Sequence, residues 1–386
     1  MTSTLSVNEP SAATPTAQPA KHSAGNSAHA PDSTVTGQPG SHAARASSAP
    51  LCAASIIVPV YNGAEVITRC LDALVGQTID ADAWEVIVIA DGSTDATPAV
   101  VERWIAEHPQ VQARLVQQAN AGPAAARNRG AEVANAPILL FTDADCAPTS
   151  DWTAQLLAVF ADPDIAGAKG VYLSDQTAWV ARFVQAEYED RYDRMAGLPQ
   201  IDAIDTYAAG YRRAVFLENG GFDPTFVKAA CEDHDLSFRL AQRGYRMVFA
   251  PQVQVHHLHV ETLWGYMRRK YHVGFWKSLL TRRHPQRIVY DTHTPQTLKL
   301  QILLSGVLVA ASGLGIVSIW LPALAVVWWI VGLALVVFYL SAGGFLAKLW
   351  RRSPSLALAG LVLLQARALA SGVGYLIGTL YFARTT

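Results

Sequence analysis

Between residues 55 and 141, short apolar runs alternate with stretches whose apolar positions recur every three to four residues. SIIVPV (55–60), EVIVIA (85–90) and PILLF (137–141) predict buried strands, with a shorter one near ARLVQQ (113–118). EVITRCLDALVGQ sets apolar side chains at 66, 67, 70, 71, 74 and 75, a helical period, and AVVERWIAEH and AAARNRGAEVA read as further helices. Strands alternating with helices predict an α/β fold, a mostly parallel sheet covered on both faces. In such sheets ligands gather beyond the carboxyl ends of the strands.

The last ninety residues change character. Residues 300–320 carry no charge over 21 positions and 321–340 none over another 20, each enough helix to cross a bilayer. Pro322 between them predicts a tight hairpin. A third apolar segment, 356–383, contains Gln365 and Arg367, and reads either as a span packed on the other two or as a re-entrant piece. Arg282, Arg283, Arg287 and Lys299 precede the first segment, and Lys348, Arg351 and Arg352 lie in the loop after the second. This bias predicts a multi-pass protein of the cell inner (plasma) membrane with its α/β domain in the cytoplasm. Just before the spans, ETLWGYMRRKYHVGFWKSLLTRRHPQR mixes aromatic and basic residues. Such a helix suits the headgroup layer of membrane lipids, or else packs on the globular domain with a solvated basic face.

Composition adds a fourth region. Residues 1–52 are almost entirely Ala, Ser, Thr, Pro, Gly, His and Gln, too poor in large apolar side chains to offset the entropy of ordering, and are expected to be a disordered tail. The expected organisation is therefore tail 1–52, α/β domain 53–260, amphipathic juxtamembrane region 261–297 and membrane region 298–386 with two to three helices. A net charge of -1 leaves no overall electrostatic footprint for nucleic acid. Cys52, Cys70, Cys146 and Cys231 form no CxxC pair and read as free thiols of a reducing compartment.

The chemistry sits in three acidic clusters. ADGSTD (90–95) and TDAD (142–145) end predicted strands and should face one crevice, while EDHD (232–235) opens a helix. Close carboxylates repel one another unless a cation lies between them, and oxygen ligands favour Mn or Mg. A hard cation with few protein ligands keeps places for phosphate oxygens, so a nucleotide diphosphate is the natural partner. No GxxxxGK[ST] loop and no GxGxxG after the first strand is present, which disfavours P-loop and hydride-transfer chemistry. Plainer readings stand beside these. Asp91, Ser93 and Asp95 could cap a helix near Ala96, and Glu232 and Asp235 could merely favour a helix start through its dipole. His256, His257 and His259 alternate as in a strand. Arg127 and Asn128 either contact a nucleotide or, for Arg127, pair with a surface acid. The stretch 177–195 is either an acceptor wall or a core helix.

SIIVPVYNGAEVITRCLDALVGQT, VIADGSTDAT, NAGPAAARNRGAE, FTDADC, RRAVFLENGGFD and EDHDLSFRLAQRGYR occur in an order that resembles the family 2 inverting glycosyltransferases of GT-A fold, over roughly residues 54–257. The resemblance implies that Pro59 and its neighbouring backbone border the nucleotide and that Asp91 bonds uracil or another base. Asp143 would be a ribose or metal contact, Asp145 the direct ligand of Mn or Mg bridging the diphosphate, and Asp233 the general base. His257 falls where some members place a third metal ligand, with His256 as the alternative. The sequence departs from the pattern at Ala90, where an acid is usual, and at Ala208, where an Asn is common. It also lacks the Q-x-x-R-W motif of processive synthases, with QRGYR in that neighbourhood. The implied function is transfer of a single sugar from a nucleotide-sugar donor, UDP-linked by preference, to an acceptor hydroxyl in cell-envelope or exopolysaccharide synthesis. A catalytic domain held at the bilayer favours a lipid-linked saccharide as acceptor. The rival readings are a processive polysaccharide synthase and a catalytically silent sugar-nucleotide-binding subunit of an envelope complex.

Overall fold

The computed structural model describes residues 52–385 apart from 229 and 289, so the tail expected over residues 1–52 lies outside the described residues but for Cys52. Strands β1 (Ala54–Val60), β2 (Trp84–Asp91), β3 (Ala113–Gln118) and β4 (Ile138–Phe141) run parallel, connected through helices α1 (Ile67–Val75), α2 (Thr97–Glu107) and α3 (Pro123–Val133). After them come β5 (Cys146–Pro148), α4 (Trp152–Val159), β6 (Ile165–Leu173), α5 (Trp179–Ala196), β7 (Ala209–Arg212), α6 (Arg213–Glu218), α7 (Glu232–Gln242) and β8 (Arg246–His257). The eight strands form one sheet in the order β3-β2-β1-β4-β7-β6-β8-β5, mixed because β7 and β5 run against their neighbours.

The period-2 pattern explains the layers. Ile56, Val58 and Val60 of β1 and Val86, Val88 and Ala90 of β2 face one side, against Leu71, Leu74, Trp104 and Leu156 from α1, α2 and α4. Ile57, Ile87 and Ile89 face the other, against Ala124, Phe216 and Leu236 from α3, α6 and α7. Each Val, Leu, Ile or Phe side chain among them contributes about 1.5–3 kcal/mol by its removal from water.

Register then positions the acids. Phe141, the last residue of β4, pairs with Ile57, while β1 continues to Val60 beside Ala90. The chain therefore leaves the sheet at Thr142 and turns into β5, whose antiparallel register sets Cys146 opposite His257.

Towards the C-terminus lie α8 (Leu263–Arg283), α9 (Gln296–Val317), α10 (Val327–Ser341), α11 (Gly343–Arg352) and α12 (Pro354–Thr385). Three helical stretches are long and apolar enough to cross a membrane: Gln296–Val317, Pro322–Ser341 and Pro354–Arg384. The last is one unbroken helix, and its Arg367 has a partner on α5 of the α/β domain. Arg367 donates to Glu187 Oε1 at 2.8 Å and to Gln301 Oε1 at 2.6 Å, and Glu187 also receives Lys270 at 2.9 Å and the Tyr266 hydroxyl at 3.0 Å. Burial opposes ionisation of Glu187, but the Lys270 and Arg367 charges hold its carboxyl at about 2. The basic stretch after the second segment is helix α11 rather than a loop, with Lys348 paired to Asp193 and Arg352 to Glu189 on α5.

The juxtamembrane helix α8 packs on α5 through Tyr266 and Phe183, on α7 through Trp276 and Phe238, and along α12, while Trp264 stays 73% exposed. Its crossing with α12 is backbone against backbone. A Cβ at Gly274 would lie 2.3 Å from Ser371 O, and one at Gly374 2.1 Å from Tyr271 O.

Candidate functional site

The loops after β1 and β2 are laced together. Asn62 N–H donates to Ser93 Oγ at 3.0 Å, Gly63 N–H to Thr97 Oγ1 at 2.9 Å and Ala64 N–H to Asp95 Oδ2 at 3.2 Å. Asp95 also accepts from Thr97 N–H, the first of α2, at 3.0 Å, so it, and not Asp91, is the acid that meets the start of that helix, whose cap residue is Ala96. Pro59 is half-buried, one residue from the end of β1. Asp91 is buried with both oxygens engaged: Oδ1 accepts from Gln118 Nε2 at 2.7 Å and Ala121 N–H at 2.9 Å, and Oδ2 accepts from Gly122 N–H at 2.9 Å. Next to it Gly92 has φ +69°, and a Cβ there would meet Asn120 N at 2.5 Å, so only glycine lets the two loops touch.

Arg127 joins two of the acidic clusters. From a buried position on α3 its Nη2 donates to Asp143 Oδ1 at 2.7 Å and its Nη1 to Glu232 Oε1 at 2.9 Å. Glu232 turns its other oxygen to the N–H groups of Ala230 and Cys231. Glu232 is thus more than a favourable first-turn acid, and the partners of Arg127 are crevice acids, not surface ones. Asp235 likewise is buried, receiving Arg239 at 2.9 Å and lying 3.0 Å from His284 Nε2. Asn128 Oδ1 accepts from Phe222 N–H and its Nδ2 donates to Phe222 O, which fixes the GGFD turn.

Asp145 emerges at the turn into β5, its side chain about half exposed, with Oδ1 3.7 Å from His257 Nδ1. Among the three histidines near the end of β8, the others point elsewhere: His256 lies 3.5 Å from Asp175, and His259 Nε2 lies 2.9 Å from Gln185 Oε1. Withdrawal from water and the Asp143 charge push the Asp145 carboxyl up, and burial holds the His257 imidazole below its ordinary value, neutral and able to ligate. Cys146 Sγ is 3.9 Å from His257 Nδ1, but burial and the two aspartates drive its thiol far above the range where a thiolate forms. Asp145, Cys146 and His257 hold their ligand atoms within 4.8 Å of one another, and the carboxylate oxygens here suit Mn or Mg, whose charge would relieve the Asp143–Asp145 repulsion.

Asp233 stands beside Glu232 in the first turn of α7, its Oδ1 accepting from His234 N–H at 2.8 Å. Burial above all, and then Glu232, raises its carboxyl above the ordinary range, the direction wanted in a proton acceptor working near neutrality. Several groups nearby escaped the sequence reading. Asp205 Oδ1 lies 3.5 Å from His234 Nε2 and 3.1 Å from His293 Nε2, and its other oxygen pairs with the fully buried Lys169. Arg191 lies 4.0 Å from that second oxygen, while burial holds the Lys169 amine well below its ordinary value. The lone lysine inside GAKGVYL was the available signal. Arg269 on α8, which donates to the Tyr188 hydroxyl at 3.3 Å, sends positive charge toward Asp143 and Asp145. Ala208 is buried and offers no polar group.

The chain matches the family model described as glycosyl transferase family 2 over residues 55–219 and that described as glycosyl transferase family group 2 over residues 138–341, more than half of its length. A pre-mycofactocin glycosyltransferase of Mycobacterium tuberculosis is 30% identical over 239 residues, 60% of this chain and 48% of that protein. Glycosyltransferase AglE of Haloferax volcanii is 27% identical over 207 residues, 52% of this chain and 64% of that one. The chain thus spans from just under half to just under two thirds of the length of these curated relatives. Among solved structures, a mannosyltransferase from Pyrobaculum calidifontis in complex with GDP-Man and Mn2+ superposes with a TM-score of 0.51 at 21% identity, covering 84% of this chain and 86% of that one. The fold is accordingly the GT-A arrangement that the motifs implied.

Proposed function

The chain belongs to the family 2 glycosyltransferases, and on that premise we propose that it transfers a single sugar, with inversion, from a nucleotide-sugar donor to the hydroxyl of a lipid-linked acceptor. The carrying observation is the Arg127 bridge, which ties the strand-end acid Asp143 to the start of the helix bearing Asp233 and so sets donor and acceptor groups on one crevice.

Asp233 takes the acceptor proton as the oxygen attacks the anomeric carbon. The new carbon–oxygen bond forms while the bond from that carbon to the diphosphate oxygen breaks, so one displacement inverts the configuration and no enzyme nucleophile is needed. Asp143, with one oxygen fixed by Arg127, offers the other to the ribose or the cation. Mn or Mg held by Asp145, His257 and Asp143 would neutralise charge on the leaving diphosphate. Pro59 and the laced loops would border the nucleotide. Asp91, already bound by three donors, has one lone pair on Oδ2 for the base.

The apolar helices Gln296–Val317 and Pro322–Ser341 would span the plasma membrane as a hairpin, while Pro354–Arg384, whose two ends both rest on the α/β domain, would lie along α8 at the membrane face. Because Lys348 and Arg352 pair with α5, the basic flank and the catalytic domain lie on one side, which the positive-inside rule makes cytoplasmic. The test uses the purified full chain in detergent with Mn and a panel of nucleotide sugars, following nucleotide release with and without membrane lipid extract. Release stimulated by the extract supports the reading. Release indifferent to it removes the lipid acceptor, and no release with any sugar leaves a binding subunit.

A further inference from the structure

A cavity of about 580 Å³ opens between the juxtamembrane helix α8 and the long helix α12, beside their glycine crossing. This is the size of a small-molecule site, about 300–1,000 Å³. Met267 and Tyr271 from α8 and Leu369 and Val373 from α12 give it apolar walls, and Arg268 and His272 stand among its lining. A crevice between packed helices would ordinarily be closed by side chains. This one is left open where α12 is apolar enough to lie against the bilayer, so its walls are available to a hydrocarbon chain.

Its charge is one-sided. Among the described residues no carboxylate forms an ion pair with Arg268, His272 or the neighbouring Lys228, although acids on α5 neutralise Lys270, Lys348 and Arg352. Partial burial, then Lys228 and Arg268, hold the His272 imidazole below its ordinary value, with no acid among the causes. Arg268 and Lys228 carry the charge there and the His272 imidazole can donate a hydrogen bond beside them, so the mouth of this apolar groove is complementary to an anion carried on a hydrocarbon chain. Arg269, next to Arg268 on α8, turns to another face of the helix, toward Tyr188 and the Asp143–Asp145 pair, so α8 borders both the groove and the candidate site.

We propose that this groove seats the acceptor lipid, with its hydrocarbon chain along α12 and its phosphate between Arg268 and His272. The proposal rests on the lipid-acceptor reading above and names the part of the chain that would recognise the lipid.

The full chain in phosphatidylcholine nanodiscs is irradiated with hexadecyl phosphate bearing a mid-chain diazirine, and the labelled peptides are mapped by mass spectrometry. Labelling within 264–272 and 369–373, displaced by unlabelled hexadecyl phosphate, is expected. The paired substitution Arg268→Ala with His272→Ala should lower it roughly tenfold, the effect of losing a charge-assisted contact. Val373→Trp, which fills the groove, should abolish it. Equal labelling by the corresponding hexadecanol probe, or displacement by phosphatidylglycerol at equal mole fraction, would overturn the proposal, since either makes the groove a seat for bulk lipid. Mn-dependent UDP binding on the same samples separates the two readings and reports folding of each variant. Specific labelling without nucleotide binding counts against the transferase site and supports the groove, whereas binding without labelling overturns the groove alone.

Discussion

The Arg127 guanidinium donates to Asp143 Oδ1 at 2.7 Å from a position almost closed to solvent. A strand-end carboxylate that must meet a ligand gains from being held, because each freely rotating group costs entropy when it is fixed at the moment of binding. The second arm of the guanidinium reaches Glu232, so one side chain sets the spacing between the end of β4 and the start of α7.

Arg127→Lys keeps the charge but loses the planar fork that spans two acids. Turnover is expected to fall by about 10²-fold, the scale of a small misplacement of reacting groups, with Mn-dependent nucleotide binding less affected. Steady-state kinetics beside nucleotide titration checks this, and an unchanged kcat would show the bridge to be dispensable.

Asp233→Asn should lower transfer by about 10²–10⁴-fold, the contribution of a positioned proton acceptor, and leave nucleotide binding near wild type. The same variant carries a stability signature. The folded state raises the Asp233 carboxyl above its unfolded value, so ionising it costs stability: the cost is absent at low pH, grows as the pH rises past the unfolded value and is complete above the raised one. Asn removes that cost. The melting temperature of Asp233→Asn should exceed that of the wild type at neutral pH, with the gain shrinking toward about pH 4.

Asp145→Ala should abolish Mn-dependent nucleotide binding, and His257→Ala should weaken it about tenfold, or ~1.4 kcal/mol. His256→Ala, whose ring faces Asp175, should be silent. Isothermal titration with and without EDTA distinguishes them. A loss at His256 with none at His257 would reverse the assignment of the metal ligand.

Arg367→Leu leaves Glu187 buried with Lys270 as its remaining ionic partner, and is expected to cost about 3–5 kcal/mol, the usual penalty for breaking a buried pair from one side. The double variant Arg367→Leu with Glu187→Leu should recover part of the loss. Thermal unfolding in detergent reads both, and strictly additive effects would mean that the two residues are not coupled.

The parallel strands were legible because 55–60, 85–90 and 137–141 are apolar runs bounded by polar turns, and the alternating helices complete a fold that admits few topologies. The membrane-length helices were legible for the same reason, length without charge. What stayed hidden depends on long-range register. β5 is three residues long, too short to leave a period, yet its pairing with β8 is what selects His257 from three histidines. The partners of Arg127 lie 16 and 105 positions away and belong to two different motifs, so pattern alone could not choose between a nucleotide contact and an acid. Arg367 looked like a flaw in an apolar helix because Glu187, which explains it, is 180 positions upstream.

The crossing of α8 and α12 at Gly274 and Gly374 has no side chains in it to rotate or compress. Two helices in backbone contact slide only if the contact breaks, so α8 and the elements it carries keep a fixed position along α12. On the lipid-acceptor reading the protein is therefore a ruler as well as a catalyst. The distance from an acceptor's anchor to its hydroxyl becomes a selected quantity, and saccharides built one unit too short or too long would miss Asp233 whatever their chemistry.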